Sequence, residues 1–180
     1  ALMTIALKTG AYFLTGSVGL LSDAMESGVN LVAALAAFWA LSFAATPADE
    51  DHPFGHNKAE YFSSGLESIL IVIAAIGIAV VAWERLCSPR PLEQIGLGLL
   101  LSLIGTAIHG VVAWTLLRAG RRLRSITLRA DAHHLLTDVW TSAGVTAGIF
   151  LVKLTGWLIL DPLIALFVAA SILVSGVRLL

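Results

Sequence analysis

The chain has 180 residues, 58% of them hydrophobic and 13% charged, with a mean hydropathy of +0.90 and a formal net charge of −1. A soluble domain carries roughly 45–50% apolar and about 25% charged residues, so the composition excludes an ordinary soluble fold and indicates a membrane protein. The near-zero net charge and the lack of a basic, aromatic-interleaved surface exclude a nucleic-acid partner, and a single cysteine, Cys87, excludes an internal disulfide and a thiolate metal cluster.

A membrane-spanning helix needs about 20 mostly apolar residues, and six such stretches follow one another. The first, over 1–15, opens directly in "ALMTIALKTGAYFLTG", without an initiator methionine, a charged leader or a small-residue cleavage site. Lys8 interrupts its apolar run, and the span is expected to be a helix truncated at its N-terminus. The others are expected over 17–45, 60–87, 94–118, 125–153 and 157–178. They are separated by Thr15-Gly16-Ser17, "TPADEDHPFGHNK", "SPRPLEQ", "RAGRRLRS" and Thr155-Gly156, all turn or charge signals. Trp83, Trp114 and Trp157 fall near span ends, where amphipathic rings prefer the headgroup level. The expected fold is an all-α membrane protein, a six-transmembrane-helix bundle in one domain over 1–180.

Lys and Arg in the connections set the orientation. If the first helix leaves the cytoplasm, Lys58, Arg118, Arg121, Arg122, Arg124, Arg129 and Arg178 lie inside, and Arg85, Arg90 and Lys153 outside. This bias predicts cytoplasmic loops at 46–59 and 118–128. On the fifth span Gly144 and Gly148 form a GxxxG that lets another helix approach closely; ordinary packing is expected of it rather than specific dimerisation.

Two polar stripes stand out within the apolar spans. Asp23, Glu26, Ser27 and Asn30 lie at i, i+3, i+4 and i+7 on the second, and Asp131, His134 and Asp138 at i, i+3 and i+7 on the fifth. A charge at mid-bilayer costs about 2.5–3.5 kcal/mol even on the gentler insertion scales, so such groups face the bundle interior and pair there. The two spans run in opposite senses, and residues 26–30 and 134–138 each lie about 14–20 Å into their span at about 1.5 Å per residue. The two pairs can meet near mid-bilayer. Two carboxylates, an imidazole and an amide at i and i+4 from two helices form a four-ligand set suited to a divalent cation such as Zn²⁺. The plainer alternative is a set of interhelical hydrogen bonds.

Asp131, near the helix start, is expected to cap the helix or pair with Arg129 rather than bind an ion. His133 must point about 100° away from His134 and cannot share its site. His109 and Glu67 read as hydrogen-bonded interior groups, Glu67 with a possible place in a proton path. In the loop "ADEDHPFGHNKAE", Asp49, His52 and His56 place a carboxylate and two imidazoles within eight positions, enough for a metal at the membrane surface or for a merely solvated acidic loop. A haem protein using His109, His133 or His134 is an alternative of another class, and the absence of HExxH counts against an intramembrane metalloprotease. No enzymatic activity and no prosthetic group are expected.

The segments "TGSVGLLSDAMES", "PADEDHPFGHNKAE" and "LRADAHHLLTDVWTSAG" together resemble the second helix, the following loop and the fifth helix of the cation diffusion facilitator family, and the likeness covers the whole chain. The resemblance implies a secondary transporter exporting divalent transition metals from the cytoplasm in exchange for protons, in a cell (inner) membrane and as a homodimer. By position it implies an intramembrane metal site at Glu26, Asn30, His134 and Asp138, with Asp23 and Ser27 as the alternative register, and a loop site at Asp49, His52 and His56. HxxxD on the fifth helix fits the family pattern directly; Asn30 departs from the usual Asp. A cytoplasmic C-terminal domain, expected to begin just after Arg178, is absent from these 180 residues. Alternating access then moves the ion. Its ligands must shed protons to bind it, which makes His134, with Glu26 or Asp138, the expected proton carrier. An imidazole among the ligands favours Zn²⁺ over a manganese specialist, with Fe²⁺, Co²⁺, Ni²⁺ and Cd²⁺ also admitted.

Overall fold

Long runs of Leu, Ala, Val and Ile in lipid leave the backbone one way to satisfy its own amides within a segment, the α-helix. The structure, a computed structural model, describes residues 1–44, 46, 59–124 and 126–179. It folds as α1 (Leu2–Thr15), α2 (Val18–Ala44), α3 (Ala59–Cys87), α4 (Ile95–Arg122), α5 (Ile126–Thr155) and α6 (Leu160–Leu179), with no strand among the described residues. This is the expected helical bundle. Asp49, His52 and His56 lie outside the described residues.

The differences at helix ends have local causes. α4 runs on through Arg121 and Arg122, four residues past the expected end, because Ala119 and the two arginines are good helix formers and cations complement the carbonyl end of a helix. α6 starts three residues late, since Gly156 takes φ 72° and the chain turns through Trp157 before re-entering a helix. Between α1 and α2, Gly16 adopts φ 65° and returns its N–H to the Tyr12 carbonyl at 2.7 Å, a left-handed cap that a side chain would strain.

By length and composition, four segments are long and apolar enough to cross a bilayer: Val18–Ala40, Gly65–Cys87, Ile95–Arg122 and Asp131–Thr155. The apolar part of α6, Leu160–Val174, is shorter. α1, with 14 residues, extends about 21 Å at 1.5 Å per residue, less than the roughly 30 Å of a hydrocarbon core. Phe13, Phe38, Trp140 and Phe167 stand exposed on the outside of the bundle, the distribution a lipid-facing surface requires, and Trp83, Trp114 and Trp157 are exposed near helix ends.

α2 is the hub, packing against α1, α3, α5 and α6, while α1 also packs on α4, α4 on α5, and α3 on α6. Of the two GxxxG glycines, Gly148 admits α6: a Cβ there would fall 1.9 Å from Ile164 Cδ1. A Cβ on Gly144 would meet nothing within 4 Å, so only half the motif is used inside the chain.

The interior is divided along the bundle axis. Ala11, Leu20, Ile78, Ala82, Val145, Ile149 and Ala165 form a close-packed apolar core toward the end that carries the Gly16, 88–94 and Gly156 turns. That end is also tied by polar contacts around one turn. Arg85 donates to the Gly16 carbonyl, and the Glu93 N–H donates to the Thr15 carbonyl at 3.0 Å. Asp161 of α6 accepts the Val18 and Gly19 N–H groups at 2.8 and 3.0 Å and the Ser17 hydroxyl. The two cavities lined by Asn30, His134 and Asp138 lie toward the opposite end.

Candidate functional site

α2 and α5 pack antiparallel, so residues that contact across them advance in opposite directions along the chain. Two contacts obey this register: Asn30 Nδ2 donates to Asp138 Oδ2 at 3.1 Å, and Ser142 Oγ donates to Asp23 Oδ1 at 2.6 Å. The i, i+4 spacing of Glu26 with Asn30 and of His134 with Asp138 turns all four toward the same space. They line one cavity of about 440 Å³, together with Glu67, Thr137, Thr141 and Ser171.

A second cavity, of about 400 Å³, adjoins it. Asn30, Glu67, His134 and Asp138 line both, so the second cavity leads away from these residues past Ala34, Ala37 and Asp131 toward the α2 and α5 ends that flank the 45–58 and 123–125 connections. Within this arrangement Asp138 is buried, Glu26 and Asn30 are half-buried, and His134 is exposed. One Glu26 oxygen, Oε2, is buried without a hydrogen-bond partner. Among the described residues no three His, Cys, Asp or Glu side chains are arranged to hold a metal ion as they stand. The Asn30 amide occupies one Asp138 oxygen, and His134 is exposed on the wall shared by the two cavities.

Of the other sequence candidates, Ser27, Glu67, His109 and Asp131 line the second cavity. Asp131 neither caps α5, which begins five residues earlier at Ile126, nor pairs with Arg129; it is exposed on the rim of the second cavity. Asp131 lies beyond the first turn both of the span expected over 125–153 and of α5 itself, too far in for a cap. His133 is exposed and lines neither cavity. His109 is 8% exposed, and its ring meets Thr4 Oγ1 through Nε2 at 3.1 Å. Because the Thr4 hydroxyl gives its own hydrogen to the Ala1 carbonyl at 2.7 Å, Nε2 is the donor and Nδ1, buried without a partner, carries the lone pair. Glu67 lies on the wall between the two cavities rather than in isolation.

Asp23 and Ser27, the alternative register, do not face the cavity of Glu26. They are engaged by Lys8, a residue that sequence reasoning passed over as an interruption. Its ammonium, on a side chain 1% exposed, donates to Asp23 Oδ1 at 2.8 Å, Ser27 Oγ at 2.9 Å and Ser142 Oγ at 2.9 Å. Lys8–Asp23 is the single ion pair among the described residues. A signal existed: Lys8 stands eight residues before Gly16 and Asp23 seven after it, so folding the chain back at that turn brings them level.

Over residues 1–180 the sequence matches the cation efflux transmembrane domain. The chain belongs to the cation efflux family. An uncharacterised transporter of Synechocystis sp. is 63% identical over 180 residues, which is 100% of this chain and 58% of that protein. The cation-efflux pump FieF of Yersinia enterocolitica is 32% identical over 179 residues, 99% of this chain and 59% of its own length. FieF of Klebsiella pneumoniae is 30% identical over 179 residues, 97% of this chain and 58% of its own. The chain therefore spans somewhat under three fifths of the curated relatives it matches. Membership and the run of apolar helices make it part of a multi-pass membrane protein.

Proposed function

We propose that this chain is the transport core of an exporter of divalent transition-metal ions, and that Glu26, Asn30, His134 and Asp138 hold the ion about midway through the bundle. The observation that carries this reading is the convergence of those four side chains, two from each of two antiparallel helices, on one cavity within a cation efflux domain. Rotation of the His134 ring and release of Asp138 from the Asn30 amide would complete a shell of nitrogen and oxygen ligands. Two carboxylates then balance the charge of a divalent ion, which matters where uncompensated charge is costly. Zn²⁺ leads as substrate because imidazole suits it, and Fe²⁺, Co²⁺, Ni²⁺ and Cd²⁺ follow on the same chemistry.

Exchange for protons follows from ligand chemistry. A carboxylate or imidazole that takes a proton cannot coordinate, so protons entering from the outer side would expel the ion, and proton loss to the cytoplasm would reload the site. His134, Glu26 and Asp138 are the groups to carry them. In the orientation favoured by the Lys and Arg distribution, the second cavity is the cytoplasmic entrance, the 46–59 and 118–128 loops are cytoplasmic, and the membrane is the cell or inner membrane. Asp49, His52 and His56 would collect ions at that surface. The working unit is a homodimer and the protein is not an enzyme. The haem alternative is less well served, because it needs imidazole nitrogens facing each other from two helices: His133 and His134 share α5 and point about 100° apart, and the lone pair of His109 sits on a buried Nδ1.

The test is metal uptake into proteoliposomes under an imposed pH gradient, comparing Zn²⁺, Fe²⁺, Co²⁺, Cd²⁺ and Mn²⁺ in the native protein and in His134→Ala. Uptake that follows the gradient and is lost in the variant is the expected result. Uptake of no ion by folded full-length protein would refute the carrier reading.

A further inference from the structure

We infer that Lys8 is a positioning residue for the intramembrane site: its ammonium ties α2 to α5 one helical turn from the four expected ligands and so sets the spacing across which they face. The inference rests on reading Glu26, Asn30, His134 and Asp138 as that site. Every contact of the ammonium bears on it. Asp23 and Ser27 are an i, i+4 pair on α2, each three residues before one member of the Glu26–Asn30 pair, and Ser142 on α5 lies four residues after Asp138. The knot therefore repeats the pairing of the site one turn nearer the packed core.

Its hydrogen bonds are directional. A lysine ammonium has three donors and no acceptor, and all three are used: one on Asp23, one on Ser27 and one on Ser142. Ser142, having accepted from Lys8, passes its own hydrogen to Asp23 at 2.6 Å, which closes a ring through α1, α2 and α5. Lengthening the α2–α5 separation by 1 Å would break the Ser142 legs of that ring. Thus α1, which packs on α2 and α4, reaches the α2–α5 seam through this side chain.

Two simpler accounts explain less. Stability alone does not call for a lysine, because a buried ion pair can often be exchanged for uncharged residues of similar size without loss. A direct field effect on the bound ion is also weak, since Lys8 and Asp23 together carry no net charge. Geometry remains, and groups that orient metal ligands from behind typically change metal affinity about 10- to 100-fold when removed.

The test titrates Zn²⁺ into full-length protein by calorimetry and records the visible spectrum with Co²⁺, following the binding step that His134→Ala abolishes. In Lys8→Met/Asp23→Asn, which deletes both charges at once, that step weakens about 10- to 100-fold and the Co²⁺ spectrum changes, while the thermal midpoint without metal is retained. Ser142→Ala, which cuts only the α5 leg, weakens the same step in the same direction. Native affinity and an unchanged Co²⁺ spectrum in the folded double variant would overturn the inference; should that variant not fold, native affinity in Ser142→Ala overturns it alone. If His134→Ala binds as tightly as the native protein, the site reading itself has failed and the role of Lys8 fails with it.

Discussion

Asn30 is where this chain departs from the aspartate usual in the family it resembles. Its amide donates to Asp138 at 3.1 Å, a contact an ionised aspartate could not make. In Asn30→Asp, two carboxylates would face each other across the α2–α5 seam, and a divalent ion would relieve the repulsion. Carboxylate count is a main determinant of cation affinity, so Zn²⁺ binding in Asn30→Asp is expected to tighten at least about ten-fold, with a larger metal-induced rise in the thermal midpoint. Equal affinity by calorimetry would remove Asn30 from the ligand set. Glu26 differs again: its buried, unpartnered Oε2 is an acceptor with nothing to accept, which is costly in an interior and suits a group whose partner comes and goes.

At the scale of the helix, the start of α2 shows how a local signal and a distant residue combine. Ser17 is an ordinary N-cap, its Oγ accepting the Leu20 N–H at 3.2 Å. The remaining amides of that turn are met by Asp161, 144 positions away from Ser17 and itself 1% exposed. A carboxylate at the positive end of a helix is stabilising both as a cap and through the dipole. Asp161→Ala should therefore lower stability by about 2 kcal/mol, read as a drop in the denaturant or thermal midpoint, and should leave the spectrum of bound Co²⁺ unchanged because the residue lies at the far end from the cavities. A midpoint within error of the native one would mean that Ser17 alone suffices.

For the whole molecule the decisive feature is asymmetry. One end is packed and cross-tied around Gly16, while the other holds two adjoining cavities that share Asn30, Glu67, His134 and Asp138. These four residues are therefore reached from one side of the bundle. Cys87, exposed at the end of α3, reports on the packed side, and a cysteine placed at Ala34 in Cys87→Ser reports on the cavity side. In oriented vesicles a membrane-impermeant maleimide should label Cys87 from the outside and Ala34→Cys from the cytoplasmic face. Labelling of both from the same side would contradict the orientation drawn from the loop charges, and protection of Ala34→Cys by Zn²⁺ would connect that cavity to the site.

Much of this was legible in one dimension. Hydropathy marks membrane segments because lipid demands apolar side chains and internally bonded backbones, and a 3.6-residue period puts Glu26 beside Asn30 and His134 beside Asp138 whatever else the chain does. The six helices, and the placing of each of these two pairs on one helix face, follow from those two facts. Periodicity does not say what a polar group meets when its partner lies on another helix. Lys8 reads as a defect in an apolar run until α1 folds back on α2; Glu67 reads as a lone interior group until it is seen on the wall shared by two cavities; and Asp161 has no visible task until α6 packs beside the turn at Gly16. These assignments depend on distances between segments far apart in the chain, and burial then enforces them, because a charge withdrawn from water must find its partner wherever the tertiary fold has put it.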